Sequence, residues 1–226
     1  MSQDPHGQGR LLTSGAPLSR ARLAMIMLHG RGGAPEDMAS LAGHLGLPDI
    51  AVRAPEAAGN SWWPDSFLAP LGRNQPGLAS ALGVIGKIAE QLAKEGFGPE
   101  RTVLLGFSQG ACLALEYAAR AGTRFACVAG LSGGLIGTGD GDGEADPALY
   151  NHGGKTFDYD GRLDGTPVLL GCHEHDPHIP LARVKTSAKV FSDLGAVVTT
   201  QIYPGSGHGI VEDEIRALRR ILNTSA

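Results

Sequence analysis

Cysteine is scarce in this chain of 226 residues, which has three thiols, Cys112, Cys127 and Cys172. An odd, sparse set without paired spacing excludes a disulfide scaffold and reads as reduced thiols. Basic character is also lacking. The formal net charge is -4 and no lysine- or arginine-rich cluster stands out, so nucleic acid is not expected as a partner. Charge-free apolar stretches fall far short of the roughly 20 residues of a membrane span. The opening M-S-Q-D-P-H-G-Q-G-R has no apolar core of the secretory-signal type. A cytoplasmic protein is therefore expected.

Glycine is plentiful, with 34 residues, yet glycine and proline together stay below the roughly 25–30% of low-complexity chains. A hydrophobic share of 42% suffices for a sizeable core. The length suits one α/β domain spanning 1–226.

Apolar runs alternate with helical patterns along the chain. L-A-M-I-M-L at 23–28 is continuous, as a strand buried on both faces must be. A helix opening on Pro35 follows, to Leu45, and then a short strand, 50–52. Leu82, Ile85, Ile88, Ala89 and Leu92 mark a helix over 78–93, stopped by Gly96 and Pro99. Further strands are read at 102–107, 125–131, 167–170 and 197–203, and helices at 110–121, 181–194 and 212–222. Such alternation predicts a mostly parallel sheet with helices on both faces. Right-handed crossovers then bring the strand C-termini to one edge, where active sites of open sheets lie. The segment Gly137 to Gly165 breaks the rhythm. It is rich in Gly and Asp, almost without periodicity, and too long for an ordinary connection. It reads as an insertion contributing little to a core.

Gly106-Phe107-Ser108-Gln109-Gly110 fits G-x-S-x-G, follows the apolar strand T-V-L-L and opens the helix A-C-L-A-L-E-Y-A-A. A nucleophilic serine needs a tight strand-to-helix turn, which leaves no room for side chains two positions to either side. The acid and then the base must follow in chain order. His208, in Y-P-G-S-G-H after the strand V-V-T-T-Q-I-Y, is the expected base. The acid belongs to C-H-E-H-D-P-H-I-P at 172–180, after the strand before it. Asp176 is chosen, with Glu174 as runner-up. Asp164 lies at the wrong end of that strand, and Asp213 follows His208 in the wrong order. His173, His175 and His178 also make H-x-H-x-x-H, conceivable for zinc, but a loop beside the triad acid explains them without metal, and none is expected. His29-Gly30-Arg31-Gly32-Gly33, directly after the first central strand, is of the H-G-G-G type that supplies one oxyanion N–H. The expected backbone donors are Arg31 and Gln109. Trp62 and Trp63, with Phe67, follow a strand C-terminus and are tentative substrate-binding residues, with packing under a loop as the alternative.

L-H-G-R-G-G at 28–33, G-F-S-Q-G-A at 106–111, D-P-H-I-P at 176–180 and Y-P-G-S-G-H at 203–208 together resemble the phospholipase/carboxylesterase family of α/β hydrolases. That family includes bacterial carboxylesterases and acyl-protein thioesterases. The resemblance implies hydrolysis of carboxylic esters, or of thioesters, by Ser108, Asp176 and His208. It implies no cofactor and a small α/β-hydrolase fold without a large cap domain. A small ester is the expected partner, and a homodimer is the one assembly admitted. A thioesterase or lysophospholipase is the second enzyme reading. A non-catalytic binding fold is the third, against which the ordered triad stands. Dienelactone hydrolases are set aside because they use cysteine where Ser108 stands.

Overall fold

The computed structural model describes residues 4–224. Its centre is a seven-stranded sheet of β1 (Leu11–Gly15), β2 (Leu23–Leu28), β3 (Ile50–Pro55), β4 (Thr102–Phe107), β5 (Cys127–Leu131), β8 (Pro167–His173) and β9 (Val197–Tyr203). A small hairpin of β6 (Gly139–Asp140) and β7 (Lys155–Thr156) lies apart from it. The strand order is β1-β3-β2-β4-β5-β8-β9. Within the seven-stranded sheet only β1 runs antiparallel, against β3; the two strands of the separate hairpin are also antiparallel to each other. The other pairings of the seven-stranded sheet are parallel.

The helices are α1 (Pro35–Leu45), α2 (Gly77–Lys94), α3 (Gln109–Ala121), α4 (Leu181–Asp193) and α5 (Glu212–Thr224). The β2 run shows why the central strands are apolar throughout. Ala24, Ile26 and Leu28 join one core with Ile85 of α2, Leu113 of α3 and Val184 of α4. Leu23, Met25 and Met27 join the other with Met38 of α1 and Leu218 of α5. Alternate side chains point to opposite faces of a strand, so a sheet covered on both sides has no polar positions to spare. Truncating one such side chain, as in Ile26→Ala, costs about 2–5 kcal/mol.

Local chemistry sets the helix ends. At the start of α1 the Asp37 carboxylate accepts the Ala34 N–H at 2.8 Å, and the helix stops at Gly46 in left-handed conformation, φ 63°. The fold class matches the expectation: an α/β-hydrolase sheet with no closed barrel. Strand β1 carried no signal, since its burial alternates between exposed and half-buried at the sheet edge.

The insertion differs from its expected character. Residues 137–165 are packed onto the body. Leu163 is buried, and Phe157 and Tyr159 lie against the core. The Tyr159 hydroxyl donates to Glu116 at 2.9 Å. Glu116 is fully buried in α3 and also accepts the N–H groups of Ile136 and Gly137 and Arg120 Nε. The Lys155 side chain is buried, its ammonium donating to Ala69 O at 2.6 Å and pairing with Asp140. Glycine and aspartate dominate the composition, but a few apolar and tyrosine side chains do the anchoring.

Candidate active site

Ser108 sits between β4 and α3 with φ 54° and ψ -118°, a strained conformation for a residue with a Cβ. The turn is enforced by its neighbours. The Ser108 N–H donates to Leu131 O at 2.9 Å, and its own carbonyl accepts from Cys112 N at 3.1 Å. A Cβ at Gly106 would collide with the Gly110 backbone, and one at Gly110 with Leu28 O and His29 O. Both glycines of the motif are thus needed for close approach.

The loops after β8 and β9 bring the other two groups to the same edge. His208 Nε2 lies 2.8 Å from Ser108 Oγ, and His208 Nδ1 lies 2.8 and 3.0 Å from the two Asp176 oxygens. The carboxylate can only accept, so Nδ1–H donates to Asp176 and Nε2 accepts from the Ser108 hydroxyl. Asp176 is fully buried. Burial pushes its carboxyl upward, but the bond from His208 and the N–H groups of His178 (2.8 Å) and Ile179 (3.0 Å) outweigh it. The net position is below the ordinary carboxylate value. Glu174, the alternative acid, is exposed; its backbone N–H pairs with Tyr203 O.

The loop after β2 approaches from the other side, with Gly30 so close that a Cβ there would lie 3.2 Å from Ser108 Cβ. The backbone N–H groups of Arg31 and Gln109 make no hydrogen bond to any described residue, as an oxyanion site requires. The Arg31 guanidinium is used locally, donating to Pro64 O (2.6 Å) and Asp65 O (2.7 Å). The Gln109 side chain bonds Trp62 N at 2.9 Å and Trp63 O at 2.8 Å.

A cleft of about 740 Å³ opens at Ser108 and His208. Trp63, Phe67, Leu68, Cys112 and Ile179 form its apolar lining, while Tyr150 and His152 come from the insertion. The expectation for the two tryptophans is therefore split. Trp63 lines the cleft, but Trp62 is fully buried outside it. The Trp62 indole N–H donates to His29 O at 2.9 Å, and its ring packs against His29 and His6. It is a core residue, and its place as a substrate-binding residue is withdrawn. A second hollow, about 440 Å³ and lined by Met25, Leu45, Ile50 and Val52, has no ionisable residue in its wall. It offers no comparable chemistry.

Two cleft residues, Tyr150 and His152, had no local sequence signal, whereas His178 belongs to the D-P-H-I-P stretch. Tyr150 donates its hydroxyl to the Asp176 carbonyl; His152 and His178 flank the cleft. The His178 ring meets that of His208 edge-on at 4.8 Å. Among the described residues no group of three or more His, Cys, Asp or Glu is placed to hold a metal ion. Burial pushes the Cys112, Cys127 and Cys172 thiols up to about 12, which removes them as nucleophiles near neutral pH.

The sequence model of the phospholipase/carboxylesterase family matches residues 15–142. Acyl-protein thioesterase 1 of Saccharomyces cerevisiae is 26% identical over 234 aligned positions, covering 93% of this chain and 96% of that protein. Acyl-protein thioesterase 1 of Gibberella zeae is 30% identical over 135 positions, 60% of this chain, and the match spans about half of that protein, 52%. The crystal structure of a phospholipase/carboxylesterase from Dyadobacter fermentans superposes with a TM-score of 0.84 at 38% identity, over 96% of this chain and 97% of that one. With the family model covering more than half of its length, this chain belongs to the phospholipase/carboxylesterase family and is a hydrolase of that family.

Proposed function

We propose that the chain cleaves small carboxylic esters through an acyl-enzyme on Ser108. The observation that carries this reading is the unbroken series of bonds from Ser108 Oγ to His208 Nε2 (2.8 Å) and from His208 Nδ1 to Asp176 (2.8 Å). A serine hydroxyl is a weak nucleophile until a base takes its proton. His208 takes it as Oγ attacks the ester carbonyl carbon. The tetrahedral oxyanion then forms beside the N–H groups of Arg31 and Gln109. The carbonyl reforms, the alkoxide leaves with the proton from His208, and the acyl group remains on Ser108. Water enters by the same steps in reverse. Asp176 holds the imidazole in the required tautomer and stabilises its cation. No step needs a cofactor or metal.

A thioester substrate is the second reading, favoured by the two acyl-protein thioesterase relatives; the triad chemistry is the same with a thiolate leaving group. The further features of the proposal are one domain over 1–226, a cytoplasmic location and a homodimer. The test is a panel of aryl esters of graded acyl length beside matched thioesters, assayed with wild type and Ser108→Ala. Highest kcat/KM on short esters, abolished by the substitution, supports the first reading. Highest kcat/KM on thioesters selects the second. Undiminished turnover by Ser108→Ala overturns both.

A further inference from the structure

We infer that His6 is a positioning residue for the oxyanion site, acting through segment 57–65. The inference rests on the proposed function above.

The glycine-rich loop 29–33 has little side-chain mass of its own to hold Arg31 N–H in place. Segment 57–65 serves it as a splint. Ala57 N donates to His29 Nε2 at 3.1 Å, Gly32 N to Asn60 O at 2.7 Å, and Asn60 Nδ2 to Gly33 O at 2.9 Å. Trp62 Nε1 donates to His29 O, and the Arg31 guanidinium to Pro64 O and Asp65 O. The same segment reaches the second donor, because the Gln109 side chain bonds Trp62 N and Trp63 O. Arg31 and Gln109, on different elements, are thus referenced to one stretch of chain.

His6 holds that stretch from behind. It is buried, at 3% exposure. Ala58 N donates to its Nδ1 at 3.0 Å, so the proton is on Nε2, which donates to Trp62 O at 2.8 Å. Its backbone N–H donates to Ser80 Oγ at 3.0 Å, anchoring the residue on α2. Its ring meets Trp62 edge-on at 5.4 Å, and the His29 ring lies 5.1 Å from the same indole. His29 donates from Nδ1 to Gly30 O at 2.8 Å and accepts from Ala57 at Nε2. Two neutral imidazoles therefore contact Trp62, each accepting from one of two successive amides, Ala57 and Ala58. An oxyanion donor works only within a few tenths of an ångström of its intended place, and displacement of about 1 Å can cost on the order of 100-fold. A splint fixed on one side only would leave that margin to loop motion.

The test is His6→Ala, assayed on a neutral short-chain aryl ester. The expected result is a fall in kcat of about 10- to 100-fold with KM within about twofold of wild type. Affinity for a trifluoromethyl ketone, whose adduct carries the oxyanion, should weaken in parallel with kcat/KM. Affinity for the substrate's ether isostere, which has no carbonyl, should not change. His6→Asn keeps the acceptor for Ala58 N and should recover part of kcat; it also stands in if His6→Ala does not fold. The inference is overturned by a folded variant with wild-type kcat, or by one in which ether and ketone affinities fall equally. Wild-type turnover and its loss in Ser108→Ala report on the underlying reading separately.

Discussion

Asp176 and Glu174 are two residues apart after the same strand, yet their surroundings differ in kind. Asp176 is buried and receives two backbone N–H groups and the imidazole, whereas Glu174 faces solvent. Asp176→Asn should lower kcat by about 10⁴, the magnitude known for the same change in a serine protease triad; Glu174→Gln should have little effect. Kinetics on one aryl ester, with folding checked by circular dichroism, decide it, and a reversed ranking would move the acid to Glu174. Glu214 supplies a pH prediction. It is buried beside Gly171, its Oε2 accepting Val211 N at 2.8 Å, and burial pushes its carboxyl up to about 7. The folded state thus favours the protonated form. This costs nothing below the unfolded value near 4.5, and a penalty grows as pH rises toward 7, reaching roughly 3 kcal/mol. Glu214→Gln keeps the bond to Val211 and should raise Tm near pH 8.5, with the gain vanishing near pH 4. A gain independent of pH would refute the buried acid. Asp176 has the opposite sign, since its lowered pKa gives stability that is lost only as pH falls through the acid range.

At the scale of elements, legibility followed periodicity. The L-A-M-I-M-L strand and the helix 78–93 were readable because burial on one or both faces writes a repeat into the residues. The turn at Ser108 was readable because close approach permits only glycine at 106 and 110. Strand β1 was not, since an edge strand exposed on alternate residues needs no apolar pattern. Nor was the role of Trp62, which depends on His6 and His29, distant in sequence and both buried against it. The insertion shows the same limit: Leu163, Phe157 and Tyr159 anchor it, but three anchors among many polar residues make no period. Replacing residues 142–153 by a two-residue turn would keep the β6–β7 hairpin and these anchors while removing Tyr150 and His152 from the cleft. The variant should fold with Tm near wild type, and its acyl-length preference should shift. Unchanged preference would mean that the insertion does not shape the substrate pocket. Removing all of 137–165 should instead destabilise the protein strongly, because Glu116 would be left buried without the Tyr159 hydroxyl and the Gly137 amide it accepts.

Across the whole molecule, the parallel sheet gathers groups far apart in the chain at one edge: the glycine-rich loop after β2, Ser108 after β4, Asp176 after β8 and His208 after β9. Because the proposed mechanism uses only side chains and backbone N–H groups, prolonged chelation should leave esterase activity unchanged. A loss restored by zinc would show a role for His173, His175 and His178 that the triad does not assign. The covalent step itself is open to direct measurement by intact-protein mass spectrometry after treatment with a fluorophosphonate, followed by peptide mapping. One adduct per chain, located on Ser108, prevented by Ser108→Ala and much slowed by removal of the His208 imidazole, is the predicted result. An adduct on another residue, or labelling of Ser108→Ala at the wild-type rate, would contradict it.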